Sequence, residues 1–177
     1  MEKTTRKQTT LKITYAALCL ALAMVLPFLT MQIPQIGKAL APMHIAIFLC
    51  GFICGAPYGA AVGFIAPLLR SVTLGMPMLF PDAFVMSFEL LAYGILSGAL
   101  YRALPKKIPY IYLSLILSMI GGRIVWGIVR FIVSGFTNTA FPFSAFIAGA
   151  VVNALPGIIL HLILVPLIII AIRKHIK

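Results

Sequence analysis

Six long runs of apolar residues constrain the fold of this chain more than any other feature. A helix that crosses a bilayer needs about 20 apolar residues, because the hydrocarbon layer is about 30 Å thick and each residue rises about 1.5 Å. Proline and glycine divide the chain into runs at residues 12–30, 42–55, 57–73, 82–103, 108–134 and 143–172. The second and third runs are short, and the sixth is so long that Pro156 and Pro166 are expected to bend it or end it early. We therefore expect an all-α polytopic membrane protein with six transmembrane helices.

The composition excludes a soluble domain. Of the 177 residues, 62% are hydrophobic and 10% are charged, whereas about a quarter of the residues in a soluble domain are charged. The formal net charge of +11 would suggest nucleic-acid binding in a soluble chain. Here the basic residues cluster outside the apolar runs, as they do in membrane proteins. We expect residues 1–177 to form a single transmembrane domain in the bacterial plasma membrane.

Three basic clusters predict the orientation of the chain, because short cytoplasmic segments of membrane proteins collect lysine and arginine. The clusters precede the first run, separate the fourth run from the fifth, and follow the sixth: Lys3, Arg6, Lys7 and Lys12; Arg102, Lys106 and Lys107; Arg173, Lys174 and Lys177. Six spans place all three clusters on one side, so both termini are predicted to be cytoplasmic. The alternative is four spans, with the short second and third runs forming a re-entrant hairpin.

Ionisable residues inside the runs indicate a polar pocket. An ionised group at membrane depth costs at least about 2.5 kcal/mol, so it usually faces a cavity or a partner. Counting from the ends of the runs puts Arg70, Glu89 and Arg123 about 10 Å below the outer surface, on three different helices. Asn153 on the sixth run lies slightly deeper, at about 15 Å. We predict that these residues line one pocket that opens outward.

One face of the fifth run strengthens this prediction. Arg123, Trp126, Gly127 and Arg130 recur at helical spacing, which places two guanidinium groups and an indole on one face. Arginine binds carboxylate or phosphate with two parallel hydrogen bonds, and tryptophan can stack on a ligand. The alternative is that Glu89 pairs with an arginine only to hold helices together, or that Arg130 extends to the lipid headgroups. Because Glu89 cannot neutralise three arginines, we expect the surplus positive charge to favour an anionic ligand.

Other polar residues are weaker candidates for the pocket. His44 near the outer end of the second run and Asn138 in the last outer loop are predicted ligand contacts. The alternatives are a hydrogen-bonded histidine at a helix end and a loop residue that only caps the next helix. His161 is expected to be structural.

Small residues predict where helices approach closely, since packing drives helix association in lipid. Ala17 and Ala21 form an A-x-x-x-A stripe on the first run, and Gly94 and Gly98 form a similar stripe on the fourth. Four glycines of the second and third runs are expected to pack these two short helices against each other: Gly51, Gly55, Gly59 and Gly63.

Motifs for enzymatic chemistry are missing from the sequence. It contains no H-E-x-x-H, paired aspartates, nucleophile elbow or phosphate-binding loop. Cys19, Cys50 and Cys54 lie in apolar runs without a carboxylate nearby, so we interpret them as small packing residues and not as metal ligands. We expect no enzyme activity, no cofactor and no metal.

The basic N-terminus, the stripe at Ala17 and Ala21, six spans in a short chain and an outward pocket together resemble a known family. This is the substrate-binding S component of energy-coupling factor (ECF) vitamin transporters. Two stretches between Ala41 and Tyr101 look most like the members assigned to pantothenate: APMHIAIFLCGFICGAPYGAAVGFIAPLLRS and LFPDAFVMSFELLAYGILSGALY. The resemblance covers nearly the whole chain and is more specific for the family than for the vitamin.

The resemblance implies a mechanism and partners. The S component binds its vitamin from outside, with the first and third outer loops closing over it. It then docks through the alanines of its first helix, here Ala17 and Ala21, onto a transmembrane T component, and topples to release the vitamin inside while two ATP-binding cassette ATPases hydrolyse ATP. Pantothenate would place its carboxylate on Arg123 or Arg130 and its hydroxyls on Glu89 or Asn153. The chain has no lid tryptophan, which departs from the family pattern.

Three other interpretations remain open on the sequence alone. The vitamin could be a pyridoxine, a flavin or another member of this group. A cell-envelope scaffold subunit could share the helical fold without transporting anything. A small ion channel or proton-coupled carrier is the third, although no inverted repeat is evident.

Overall fold

The computed structural model describes residues 2–30, 39–137 and 141–175, and every regular element among them is helical. The helices are α1 (Glu2–Val25), α2 (Pro42–Cys54), α3 (Ala56–Leu74), α4 (Phe84–Ala103), α5 (Ile108–Phe136), α6 (Phe143–Ile147) and α7 (Leu155–His175). The second to fifth apolar runs each correspond to one helix, the first is covered by α1 and a following 3-10 helix at Leu26–Thr30, and the sixth is divided between α6 and α7. The all-α prediction is confirmed for the described residues.

Four helical stretches are long and apolar enough to cross a membrane: Gln8–Leu29, Leu79–Ala103, Ile108–Phe136 and Phe143–Arg173. Helix α2 is apolar but has only 13 residues. Helix α3 has 19 residues, but it is not among the four, and it carries Arg70 and Ser71 near its end. The structure thus supports a membrane-spanning helical bundle, whereas six spans and cytoplasmic termini stay predictions.

The sixth apolar run is interrupted where a proline follows. Helix α6 ends at Ile147, a widened turn covers Ala148–Val152, and α7 begins at Leu155. Pro156 has no N–H to donate to the carbonyl of Val152, so a continuous helix would lose a hydrogen bond there. Pro166 lies inside α7 without ending it. The interruption leaves Asn153 in a turn, where its side chain is exposed.

Helix α2 is the centre of the bundle, which explains why it is apolar on all sides. Every residue from Pro42 to Cys54 except Ile53 is buried, and the helix packs against α1, α3, α4 and α7. A helix that is hydrophobic all round is expected in such a position. The three cysteines lie in this core with at most 4% of their surface exposed, which confirms their interpretation as packing residues.

Glycines bring α2 and α3 into backbone contact with α4. A Cβ atom on Gly94 would lie 2.2 Å from the carbonyl carbon of Gly59, and one on Gly63 would lie 2.3 Å from the carbonyl oxygen of Leu90. The expectation that the four glycines pack the two short helices against each other is confirmed at Gly59, where a Cβ would lie 2.9 Å from the Cα of Gly51. Gly51, Gly59 and Gly63 also face α4, which was not predicted, because the small residues of α4 leave room for two neighbouring backbones. Gly55 has a φ of 95° and forms the tight turn between α2 and α3.

Two of the three basic clusters meet at one end of the bundle, which we name the basic end. Arg173 at the end of α7 donates a hydrogen bond of 2.6 Å to the carbonyl of Lys106, in the connection between α4 and α5. The ammonium of Lys106 lies 3.7 Å from the centre of the Tyr101 ring. Burial and the neighbouring Arg173 lower the pKa of Lys106. The ionisable pocket candidates Arg70, Glu89, Arg123 and Arg130 lie in the halves of their helices that are farther from this end.

Candidate binding site

A cavity of about 500 Å³, which we name the polar cavity, opens away from the basic end, between α2, α3, α4, α5 and the turn before α7. Seven of the eight residues predicted to contact a ligand line it: His44, Arg70, Glu89, Arg123, Trp126, Arg130 and Asn153. The eighth, Asn138, lies outside the described residues. The volume lies within the range of about 300–1,000 Å³ that is typical of small-molecule sites.

Glu89 on α4 is as deeply buried as Arg70, and its contacts connect three helices. Its Oε1 atom lies 3.0 Å from Nη1 of Arg123 on α5 and accepts a hydrogen bond of 2.8 Å from the hydroxyl of Tyr93. Nε2 of His44 on α2 lies 3.7 Å from the same oxygen. The carboxylate is only 3% exposed, so these contacts replace the water that an ionised group needs.

A second ion pair joins Arg130 to Asp82, a residue that sequence reasoning left without a role. Nη1 of Arg130 lies 3.0 Å from Oδ1 of Asp82, and the side chains are 32% and 40% exposed. Asp82 and Glu89 are seven residues apart on one side, and Arg123 and Arg130 are seven apart on the other. Asp82 lies in the helical turn Leu79–Ala83 that leads into α4. Because α4 and α5 are antiparallel neighbours, the equal spacing aligns both pairs, and it is the signal that could have revealed Asp82.

Among the described contacts, Arg70 binds a backbone carbonyl of α1 and not an acidic side chain. Its Nη1 donates a hydrogen bond of 2.5 Å to the carbonyl of Met24, and its guanidinium carbon lies 5.1 Å from the centre of the Phe28 ring. The carbonyls in the last turn of a helix have no partner within that helix, so they are natural acceptors for a cation. Arg70 is 3% exposed.

The charges around the polar cavity do not cancel. Three arginines and two acids line it among the described residues: Arg70, Arg123, Arg130, Asp82 and Glu89. Their formal net charge is +1. Glu89 alone against three arginines would leave a surplus of two charges, and Asp82 reduces that surplus to one. The cavity thus keeps a positive balance that is smaller than expected.

Aromatic residues form one wall of the polar cavity. The Trp126 ring lies 5.8 Å from that of Phe141 and 6.1 Å from that of Phe146, with the second pair stacked. The guanidinium carbon of Arg123 lies 5.9 Å from the centre of the Trp126 ring. Gly149 provides the space for this indole, since a Cβ there would lie 2.8 Å from it. Phe141 was not predicted, and it follows the loop that contains Asn138.

The two predicted docking residues lie away from the cavity. Ala17 and Ala21 are exposed on α1, whereas Ala16, Cys19 and Ala23 on its other face are buried. The A-x-x-x-A stripe therefore faces outward from the described bundle and is accessible to a membrane partner.

Comparison with known proteins indicates the family of the chain. Residues 11–169 match the model of a family described as the ECF transporter, substrate-specific component. No curated protein and no solved structure shows a significant match to the chain.

Proposed function

The chain belongs to the substrate-specific components of ECF transporters, and on that premise we propose that it captures a small anionic vitamin, pantothenate, for uptake. Members of this family are transport components that work in the membrane with T and ATPase subunits, and the family is not one of enzymes. The proposal adds the substrate, its site and the direction of binding, which is from outside the cell. A carboxylate on the vitamin is the chemical feature that the site reads.

The positive balance of the polar cavity is the observation that carries this proposal. Arg123 is the best candidate for the contact, because its side chain is 20% exposed and lies on the cavity wall between Glu89 and Trp126. A guanidinium has five N–H donors. Only the Nη1 contact is needed for Glu89, so a second carboxylate can bind to Arg123 without breaking that pair.

Six spans with both termini in the cytoplasm form part of the proposal. The meeting of Arg173 with the Lys106 segment supports this orientation, since short basic segments favour the cytoplasmic side. The polar cavity then opens on the outer side of the plasma membrane. The short helix α2 lies inside the bundle, where its length need not match the full thickness of the bilayer.

The exposed stripe on α1 is the proposed docking face for the T component. Small side chains allow the close approach of a partner helix in lipid, and Ala17 and Ala21 present such a surface. Binding of the vitamin and docking of the partner then use different residues, since neither Ala17 nor Ala21 lines the polar cavity.

Titration of the purified protein with pantothenate, by calorimetry in lipid nanodiscs, tests the substrate. We expect saturable binding that Arg123→Ala weakens by at least about 1.5 kcal/mol, because a charge-assisted hydrogen bond is lost. Arg102→Ala at the basic end is the matched control and should bind as the unmodified protein does. Absence of pantothenate binding together with tight binding of a pyridoxine or a flavin would reject pantothenate, and equal affinity of Arg123→Ala would remove Arg123 from the site.

A further inference from the structure

A second cavity, of about 440 Å³, lies between α2, α4, α5 and α7 and has an almost entirely apolar surface. We name it the apolar annex. Its lining includes Phe48, Ile120, Ile124, Ala154 and Leu162. An apolar cavity does not hold water well, whereas hydrocarbon fills it favourably.

The annex and the polar cavity share part of their walls. Ala41, His44 and Arg123 line both. On the same border, Trp126 lines the polar cavity and Phe146 lines the annex, with their rings stacked 6.1 Å apart. A ligand held by Arg123 is therefore next to the annex as well.

His44 stands on this border with unused hydrogen-bonding capacity. It is 5% exposed, and neither of its ring nitrogens has a hydrogen-bond partner among the described residues. Glu89 Oε1 lies 3.7 Å from Nε2, beyond hydrogen-bonding distance. By contrast, the neighbouring His161 has a contact of 3.2 Å from Nε2 to the carbonyl of Ala41. A buried polar group without a partner is unfavourable, so a ligand atom that hydrogen-bonds His44 gains affinity.

We propose that the two cavities form one elongated site for an amphipathic carboxylate. The carboxylate binds at Arg123, a polar linking group such as an amide hydrogen-bonds His44, and the methyl and methylene carbons beyond that link occupy the annex, while any hydroxyls there stay on the side of the polar cavity. This inference rests on the proposed function and adds to it the shape and polarity of the ligand. It also assigns a role to His44, which recognises the polar group that joins the two ends of the ligand by hydrogen bonding to it.

The edge of the annex indicates a competing occupant. Ile120 and Ile124 are 53% and 52% exposed, so the bilayer borders the annex along α5. Lipid chains fill any groove without regard to Arg123 or His44. A ligand that carries a carboxylate contacts Arg123 and His44 at the same time as it fills the annex, whereas a lipid chain does not. The buried His44 without a hydrogen-bond partner favours such a ligand.

A series of N-acyl-β-alanines with two, four and six acyl carbons tests the inference in lipid nanodiscs. These compounds carry a carboxylate, an amide and a hydrocarbon chain in the required order. We expect the affinity for the unmodified protein to rise about fourfold per added methylene, the value for transfer of one CH₂ from water to an apolar site. If pantothenate binds but the affinity of the N-acyl-β-alanines does not depend on their chain length, the elongated site is wrong and the proposed function still holds.

Three variants locate the effect. Ala154→Leu fills the annex and should abolish the dependence on chain length while the shortest compound still binds. Ala61→Leu, on an exposed face of α3 outside both cavities, is the matched control and should keep the dependence. His44→Phe should weaken all amides by about tenfold without changing the dependence. If Ala154→Leu does not fold, the series on the unmodified protein still decides.

The outcomes separate this inference from the proposed substrate. Absence of binding by every carboxylate, with a different vitamin retained, would overturn both the pantothenate proposal and the elongated site. The family role would remain. An unchanged chain-length dependence in a folded Ala154→Leu variant would overturn the assignment of the annex alone.

Discussion

Replacing Glu89 by glutamine separates a ligand site from a purely structural ion pair. Glutamine keeps the shape and an acceptor oxygen but removes the charge that faces Arg123 at 3.0 Å. Two effects follow, one on stability and one on binding. If Arg123 holds the carboxylate of a ligand, the variant should be less stable but should bind the ligand more tightly. A purely structural ion pair would give the loss of stability alone.

Stability should fall, because Arg123 loses its acidic partner in a partly buried place. Removal of one partner of a fully buried pair costs about 3–5 kcal/mol. The Arg123 side chain is 20% exposed and borders a cavity, so we expect about 2–3 kcal/mol. Asp82→Asn is the matched control. Its pair with Arg130 has side chains 32% and 40% exposed, so the loss should stay below about 1 kcal/mol.

Affinity for a carboxylate should rise in the same variant. A negative charge about 6 Å from the bound carboxylate opposes binding by about 2–3 kcal/mol at an effective dielectric constant of about 20. Relaxation of the site reduces this gain, and we expect pantothenate to bind at least about tenfold more tightly to Glu89→Gln. Binding is measured by calorimetry and stability by thermal unfolding, both in nanodiscs of the same lipid. A destabilised Glu89→Gln with unchanged pantothenate affinity would show that Arg123 serves only to join α4 to α5. Arg123 would then not be the residue that binds the carboxylate of the vitamin.

Two further predictions concern helix packing and partner docking. Gly94→Ala should lower the free energy of unfolding by about 1–3 kcal/mol, because its Cβ would lie 2.2 Å from the backbone of Gly59. Gly135→Ala, whose Cβ would meet no described residue beyond its own helix backbone within 4 Å, should be neutral or slightly stabilising, and equal thermal stability of the two variants would contradict the proposed contact. Ala21→Trp should prevent copurification of the T and ATPase subunits without changing pantothenate affinity. Retention of these subunits, to the extent seen for Ile128→Trp on the exposed face of α5, would exclude the α1 stripe as the docking face.

The helices of this protein could be predicted from sequence because lipid imposes a strict relation between apolar length and helical structure. The bounds of α4 and α5 follow the predicted runs closely, and the interruption before α7 accompanies Pro156. The glycine packing was predicted in part: Gly51 and Gly59 do bring α2 and α3 together, but their contact with α4 was missed. A stripe of small residues shows which face of a helix allows close approach, and not which helices pack on it. Here the small residues of α4 allow both short helices to pack closely against it.

The polar cavity was predicted only in part, because the sequence shows depth along each helix but not how neighbouring helices are rotated and aligned. Depth along each helix could be counted from the runs, and this grouped Arg70, Glu89 and Arg123 at one level. Contacts that depend on how helices are rotated and aligned could not be counted in this way. The Asp82 pair required the antiparallel register of α4 and α5, and the acceptor of Arg70 is a backbone carbonyl that no side-chain pattern reveals.

Mass spectrometry of the small molecule that stays bound after gentle purification shows whether Arg123 holds an acidic vitamin. We expect one bound vitamin that carries a carboxylate, present in the unmodified protein and lost from folded Arg123→Ala. Retention of a vitamin without an acidic group, or equal retention of an acidic one by Arg123→Ala, would exclude this role of Arg123.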